Sequence, residues 1–465
     1  MKKLFSFFFL SVFLLVISCS ALAVTGKTLT PDLTKLTASK SGHIIYIRDV
    51  TKPGDENVLG PNRLHKIYIM TGEGKAQAPF IYPEGMTIVG NPSWAPDGKS
   101  ILVASNYKSD DSAFYFDIFQ IRLDDGRFRR LTGDAGEVNS PGGTGTITGK
   151  VNDETGIQKV GGRTSSMVTW KGRKGKYQDR GDGNFRITEV PVGTVWVKAF
   201  HSKHIGGLDV VEVREGETVR ADINLALGNY LATYPSITPN ERYIVALFQQ
   251  AIYRENQTVQ LQGDDTMVIF DRRKQGVPVA TWVPTAMGKG EPAKDPRLSP
   301  DGRFIAFSIG NGPMESIAVC SFDSFLKDKP DTQIIVQSQR ILSLLPQSIG
   351  NINPAWSPDS KRIAFTQYVA TAQGVTGNIC VINLDGTGTA MLTKVNANQF
   401  AMHPTWSPDG RHIAFQLITA KGPKFDLGDV MLGNIVSDIY RIRADGTGLT
   451  RLTTDGKSGE PTWGP

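Results

Sequence analysis

His403-Pro404-Thr405-Trp406-Ser407-Pro408-Asp409-Gly410-Arg411-His412-Ile413-Ala414-Phe415 is one copy of a segment that recurs along the chain. A second copy keeps Asn353-Pro354, Trp356-Ser357-Pro358-Asp359 and Ile363-Ala364-Phe365. A third keeps Asp295-Pro296, Leu298-Ser299-Pro300-Asp301-Gly302 and Ile305-Ala306-Phe307. A fourth has Asn91-Pro92, Trp94-Ala95-Pro96-Asp97-Gly98 and Ile101-Leu102-Val103. A weaker fifth has Tyr234-Pro235, Ile237-Thr238-Pro239 and Tyr243-Ile244-Val245. A sixth, Glu460-Pro461-Thr462-Trp463-Gly464-Pro465, stops at the last residue. Repetition at this period marks a propeller, a solenoid or an array.

Each copy has the chemistry of a tight hairpin. Pro presets φ, Asp bonds its own backbone, and Gly accepts positive φ. The flanks are short and rich in aromatic and β-branched residues, as strands are. Two more strands follow. After the His403 copy they are Asp438–Arg443 and Leu449–Thr453, joined by Asp445-Gly446-Thr447-Gly448. After the Asn353 copy they are Ile379–Leu384 and Met391–Thr393. Four antiparallel strands per unit, set radially, make a propeller blade.

The ends of the chain complement each other. Trp463-Gly464-Pro465 lacks a second strand, and Lys40-Ser41-Gly42-His43-Ile44-Ile45-Tyr46-Ile47 is a second strand without a first. Pairing them removes two open edges. The expected fold is all-β: a six-bladed β-propeller closed by its N- and C-terminal strands. Its first part spans 43–142 (blades one and two) and its second 228–465 (blades three to six).

Between these parts, residues 143–227 change pattern. Short alternating strands and regular turns predict a small β-sandwich between blades two and three. The order Ile147-x-Gly149-x-Val151, Gly183-Asn184-Phe185-x-Ile187, Val190-Pro191-x-Gly193 and Ile223-x-Leu225 resembles the carboxypeptidase regulatory-like domain, a transthyretin-like sandwich. That resemblance implies an accessory module without catalytic residues. Gln178-Asp179-Arg180-Gly181 departs from the family's usual Thr-Asp.

The Pro-x-Trp-Ser-Pro-Asp-Gly-x-x-Ile-Ala-Phe copies and the Asp-Gly-Thr-Gly turns resemble the TolB-type β-propeller family. The likeness implies the fold over most of the chain. It says little of function, since propellers serve binding, scaffolding and catalysis alike. Only a short lead precedes Ile44, where the TolB type has a further α/β domain.

Residues 1–23 read as a secretion signal: Lys2 and Lys3, then the apolar run Leu4–Ile17. Two exits compete. Val16-Ile17-Ser18-Cys19 resembles a lipobox that would leave Cys19 lipidated, and Ala21-Leu22-Ala23 resembles an ordinary cleavage site. Both imply export, to the periplasm or as an outer-membrane lipoprotein of a bacterium. Lipidation would use Cys19 and leave Cys320 and Cys380. These two share parity along third strands, Cys380 aligning with Ala318, which predicts core thiols and no disulfide.

The formal net charge of +6 over 465 residues is too mild for a nucleic-acid partner. No nucleophile elbow, paired-His zinc helix or phosphate loop appears, so no catalytic residue, metal or cofactor is expected. His201 and His204 lack a third ligand nearby. Asp179–Asn184 reads as a turn rather than a calcium loop. Lys171, Arg173, Lys174, Lys176 and Arg180, beside Trp170 and Tyr177, read as a solvated hairpin.

The candidate binding residues stand before the Pro of each copy: Asn91, Tyr234, Asp295, Asn353, His403 and Glu460. Six-fold geometry would gather them at the mouth of a central tunnel, a convergent polar site. Their alternative role is to cap strand starts and bind only water. Loops Asn106–Tyr115, Gln249–Asp265 and Gln416–Ser437, with the sandwich, mark one face as loop-rich, and function tends to sit on such loops. The function these features imply is a monomeric, non-enzymatic envelope scaffold. It would hold an envelope protein or a glycan and meet the membrane through a lipid anchor. The rival is a lyase-like enzyme acting on polysaccharide in the tunnel.

Overall fold

The computed structural model describes residues 41–50, 65–80, 92–105, 117–123, 126–131, 143–153, 166–170, 176–181, 183–201, 205–227, 229–253, 259–261, 266–272, 278–282, 293–310, 315–327, 331–336, 339–342, 346–371, 374–425 and 434–465. The signal segment, Cys19, Asn91, Asn106–Tyr115, Lys171, Arg173, Lys174, Asp182 and His204 lie outside them. The described chain is nearly all β, with one short helix at Phe322–Leu326.

The repeat unit builds an antiparallel meander. One four-stranded sheet orders Ser93–Trp94, Ser100–Ser105, Asp117–Arg122 and Phe128–Arg130. Another orders Ala293–Leu298, Phe304–Ile309, Ser316–Ser321 and Gln333–Val336. Asn229–Ile237, Tyr243–Tyr253, Thr266–Asp271 and Pro278–Trp282 follow the same order. So do Pro346–Trp356, Arg362–Thr371, Gly374–Asn383 and Ala390–Met391, and then Gln399–Trp406, His412–Ala420, Ile435–Arg443 and Thr450–Arg451. These last two meanders run into one nine-stranded sheet through a single parallel pair, Gly377 with Phe400.

The C-terminal strand Ser458–Gly464 pairs antiparallel with His43–Asp49, setting Trp463 opposite Ile44. His65–Thr71 and Ala78–Pro79 complete that four-stranded sheet.

The turn chemistry repeats in detail. Ser299 Oγ donates to Asp301 Oδ1 (2.7 Å), which also accepts from Arg303 N, while Phe304 N donates back to Ser299 Oγ. Ser357 with Asp359, and Ser407 with Asp409, copy this arrangement. Thr238 and Asn240 perform it in the weaker copy.

The Ile-Ala-Phe strand is buried on both faces. Ile305 and Phe307 pack on Val245, Leu247 and Ile269 of the preceding sheet, while Ala306 faces Ile363 and Phe365 of the following one. Ala364 in turn faces Ile413 and Phe415, and Ala414 faces Ile44 and Tyr46. Ile45 packs on Ile101 and Val103, and Leu102 packs on Ile244 and Ala246. Side chains alternate across a strand, so large residues fill one side and small ones admit the next sheet. Each fully buried Ile or Phe contributes about 1.5–3 kcal/mol.

Trp side chains tie neighbouring sheets together. Trp356 Nε1 donates to Arg297 O (2.9 Å), Trp406 Nε1 to Ala355 O (3.2 Å), and Trp94 Nε1 to Thr462 O (3.2 Å). Cys320 and Cys380 are free, buried thiols in two different inter-sheet cores, as their shared strand parity predicted.

Residues 144–227 form a separate eight-stranded sheet. Thr144–Asp153 pairs with Asn184–Pro191 and Thr218–Arg220, and at its end with Ile223–Leu227. Ile147, Phe185, Ile187, Val197, Val211 and Ile223 share one core. The described strands on either side of residues 171–175 do not pair with each other as a hairpin would. Ser166–Trp170 pairs with Gly193–His201, and Lys176–Gly181 with Asn184–Pro191, at opposite ends of the strand order.

Two expected loops are corrected. Gln249–Tyr253 prolongs the strand Tyr243–Tyr253 and pairs with Val259–Leu261. Ile418–Ala420 and Ile435–Ser437 pair with each other as the far end of a hairpin. Continued ladder pairing satisfies backbone groups that a loop would leave to water.

Candidate functional site

In five copies the X-Pro dipeptide sits inside the inner strand rather than at its head, which corrects the strand-start placement there. Asn229–Ile237 begins five residues before Tyr234, and Gln399–Trp406 begins four before His403. Pro has no N–H for the ladder and is confined to edges or bulges. The register shifts at Thr233/Ser236, Lys294/Arg297, Ile352/Ala355 and Met402/Thr405, each bracketing an X-Pro pair. The partner of the C-terminal strand shifts likewise, between Ile45 and Ile47.

Each bulge puts the residue before Pro in the left-handed region. The φ angles are +52° at Tyr234, +52° at Asp295, +53° at Asn353, +52° at His403 and +49° at Glu460. Such a conformation costs about 1–3 kcal/mol per residue and persists only where the surroundings enforce it. Its result is to re-aim one side chain from each inner strand.

Those side chains meet. Asn353 Nδ2 donates to Asp295 Oδ2 at 2.6 Å. The Tyr234 hydroxyl bonds to the same carboxylate. Glu460 acts electrostatically on both Tyr234 and His403, and Asp295 acts on His403. Five of the candidates are thus brought together, and Asn91 lies outside the described residues.

Arg297 is a member that the sequence reading missed. Its guanidinium lies 5.4 Å from the centre of the Tyr234 ring and acts on His403. It stands two residues after Asp295, and an i, i+2 offset on a strand was the available signal. Ser236, Ala355, Thr405 and Thr462 hold the same place in other copies, so Arg297 alone among them brings a charge.

Burial governs the electrostatics. Desolvation holds the Tyr234 hydroxyl well above its ordinary range, and the Asp295 charge and hydrogen bond push the same way. Desolvation lowers the His403 imidazole against the opposing pull of Glu460 and Asp295, with Arg297 adding to the fall. His403 is therefore neutral at pH 7. Among the described residues, Asp295, Glu460 and Arg297 bring charged side chains to the cluster.

Two oxygens are left over. Asp295 is 5% exposed and Asn353 7%, yet Asp295 Oδ1 and Asn353 Oδ1 have no hydrogen-bond partner among the described residues. Buried acceptors in that condition cost about 1–3 kcal/mol each. Among the described residues, no group of three or more His, Cys, Asp or Glu is placed to hold a metal ion.

No protein-family model and no curated protein sequence matches the chain. Solved structures resemble it weakly. TolB from Acinetobacter baumannii is 14% identical over 91% of this chain and 67% of that one, with a TM-score of 0.47. Periplasmic gluconolactonase of Pseudomonas aeruginosa is 12% identical over 90% and 98%, at 0.40. Oligogalacturonate lyase from Vibrio parahaemolyticus is 9% identical over 90% and 89%, at 0.36. Likeness at these scores does not bear on what this chain binds.

Proposed function

We propose that the chain is a six-bladed β-propeller, closed by its own ends and carrying a β-sandwich between blades two and three. It works as a non-enzymatic binding protein of the bacterial cell envelope. A polar group of a glycan or an envelope protein enters the ring and is held by Tyr234, Asp295, Arg297, Asn353, His403 and Glu460. Asn91 stands at the equivalent position of the second blade. The two buried oxygens without partners, Asp295 Oδ1 and Asn353 Oδ1, carry this reading, because a bound donor would satisfy both. Strained backbone repeated at five X-Pro bulges supports it, since strain concentrates at ligand sites. Lys2, Lys3 and the apolar run after them support export, with Cys19 as the proposed lipid-bearing residue.

The lyase-like alternative has one feature in its favour, a neutral His403 beside Arg297 and Tyr234. An acidic sugar would, however, meet the carboxylates of Asp295 and Glu460, with Arg297 as the guanidinium beside them among the described residues. Capture from envelope extract and on a glycan array tests the reading. The combined Asp295→Ala, His403→Ala, Glu460→Ala variant is expected to lose capture while keeping its far-ultraviolet circular dichroism. Unchanged capture by the folded variant would refute the site.

A further inference from the structure

We infer that Arg129 and Arg272 form a docking site for the phosphate of an anionic phospholipid, on the side of the molecule that carries the Pro-Asp-Gly turns. The site is separate from the Tyr234 cluster. Only the choice of a lipid as partner rests on the export reading.

The turns touch one another. Gly98 faces Pro465, Gly302 faces Pro239, Gly410 faces Pro358 and Gly42 faces Pro408, while Asp301 N donates to Ser360 Oγ at 3.2 Å. These contacts run from sheet to sheet and form a belt on one side. The sheets of Phe128–Arg130 and Thr266–Asp271 are linked there by Arg129 Nη2, 3.7 Å from Glu241 Oε2.

That link is unlike the rest of the belt. Glu241 takes the left-handed φ (+52°) that Gly98, Gly302, Gly410 and Ser360 take in the other turns, and among these five a charged side chain bears the strain here alone. Its Oε2 also accepts from Arg272 Nη1 at 3.0 Å, so one carboxylate oxygen lies between two guanidinium groups. Neither arginine depends on that oxygen for its place. Arg272 Nη1 donates to Glu241 O at 2.7 Å. Arg129 Nε and Nη2 both donate to Oε1 of the buried Gln120, which is fixed by its own bond to Ser100 Oγ. Arg129 Nη1 and Arg272 Nη2 are left without a partner among the described residues, two forks turned to one spot. Burial, and then the charge of Arg272, loosen the proton of Arg129, a repulsion that a second anion would relieve.

Charge sets the class of ligand. Lys99, Arg122, Arg127, Arg129, Arg242 and Arg272 stand in this sector against Asp97, Glu241 and Asp271. In the adjoining sequence Asp124 and Asp125 are matched by Arg273 and Lys274, all four outside the described residues. The sum is positive, and the oxygens of a phosphodiester fit forked guanidinium donors. Two features select a lipid. The chain enters the belt at Gly42, so an acyl chain on Cys19 would tether the protein by this side. Phe128, 37% exposed, stands between Arg127 and Arg129, and an apolar ring among basic side chains suits the boundary of headgroups and acyl chains.

Co-sedimentation with phosphatidylcholine vesicles, made with and without phosphatidylglycerol, tests this. The protein used is the chain from Ser20 onward, which lacks the signal segment and the anchor residue and keeps every described strand. Binding only to the vesicles with phosphatidylglycerol is expected. Arg129→Gln and Arg272→Gln should each weaken it about fivefold, the worth of one basic residue near an anionic surface. Glu241→Gln should tighten it, because the competing carboxylate goes while Gln120 and the carbonyl at 241 still hold the arginines. Arg303→Gln, whose arginine pairs with its own Asp301 on the same side, should change it little. No binding to phosphatidylglycerol vesicles would overturn the inference. So would weaker binding by Glu241→Gln, or a loss on Arg303→Gln equal to that on Arg129→Gln, which marks diffuse attraction. Binding of polygalacturonate without binding of vesicles would overturn the lipid. The vesicle comparison uses no altered side chain, so it stands even if a variant fails to fold. Finding Cys19 unmodified in the cell would reject the anchor and leave vesicle binding to decide this inference.

Discussion

The side-chain amide of Asn353 donates to Asp295 Oδ2 at 2.6 Å, joining the inner strands of neighbouring sheets at residues 58 positions apart. Each residue needs the other. Asp295→Ala leaves Asn353 Nδ2 buried without its acceptor, and Asn353→Ala leaves the carboxylate with one donor fewer, the Tyr234 hydroxyl remaining. Either change is expected to cost about 1–3 kcal/mol. The double variant should cost less than the sum, with a coupling of about 0.5–3 kcal/mol. Urea denaturation of the four proteins measures this, and strict additivity would show that the bond contributes nothing.

Positive φ at the turn position after Pro-Asp predicts a graded response to a methyl group. Gly302 and Gly410 have φ of +75° and +68°. A Cβ at Gly410 would lie 3.8 Å from Pro358 Cδ, an ordinary contact, whereas at Gly302 it would lie 2.7 Å from Pro239 Cδ. Gly410→Ala should cost about 1–2 kcal/mol, the left-handed penalty alone. Gly302→Ala should cost about 1–3 kcal/mol more, because a sheet neighbour must move. Equal unfolding midpoints for the two variants would contradict the close approach.

Much of this arrangement was legible because it is local. Ser-Pro-Asp-Gly contains its own turn, and Ile305-Ala306-Phe307 announces a strand with a large side and a small side. Trp463 without a following strand and Ile44 without a preceding one could be joined on paper. The bulges were not legible. Pro296 shows that Asp295 cannot be followed by an ordinary ladder bond. Whether the strand continues before it depends on a partner, Ser308 opposite Lys294. The same dependence hid the hairpin at Gln416–Ala420, whose polar and apolar residues read as loop until Ser437 and Ile435 are set against them. Arg297 was hidden by the bulge, since counting outward from Pro gives no sense of which face it takes.

His403 predicts a pH dependence. Its imidazole is lowered from the ordinary 6.5, first by burial, then by Arg297 against the pull of Glu460 and Asp295. In the folded state it holds its neutral form where the unfolded chain would already take a proton. The unfolded state therefore binds more protons as the pH falls. The contribution to stability is present above pH 6.5 and is lost as the pH falls below that value towards the folded pKa. His403→Gln should flatten this part of a stability-against-pH curve measured by urea denaturation without ligand. A variant curve parallel to that of the unaltered protein would place the titration elsewhere.

Trp463 supports the seam where the ends of the chain meet. Its ring packs with Ile44, Tyr46, Met70, Ala414 and Ile439, and its Nε1 donates to Ser41 O at 2.8 Å. Its backbone N donates to Thr405 Oγ1 at 3.0 Å, so it holds the preceding sheet as well. Trp463→Ala is expected to cost about 3–5 kcal/mol, the usual range for a large buried aromatic. Deleting residues 458–465 should do something different in kind. The strand His43–Asp49 would lose its partner along the whole register from His43 to Arg48. An open edge of that sort pairs with other chains. Sedimentation velocity should then show self-association of the truncated protein at concentrations where Trp463→Ala stays monomeric. Adding a peptide of residues 457–465 should suppress it by refilling the edge. If the truncated protein remained monomeric and as resistant to urea as the full chain, the seam would not be what holds the two ends of the chain in place.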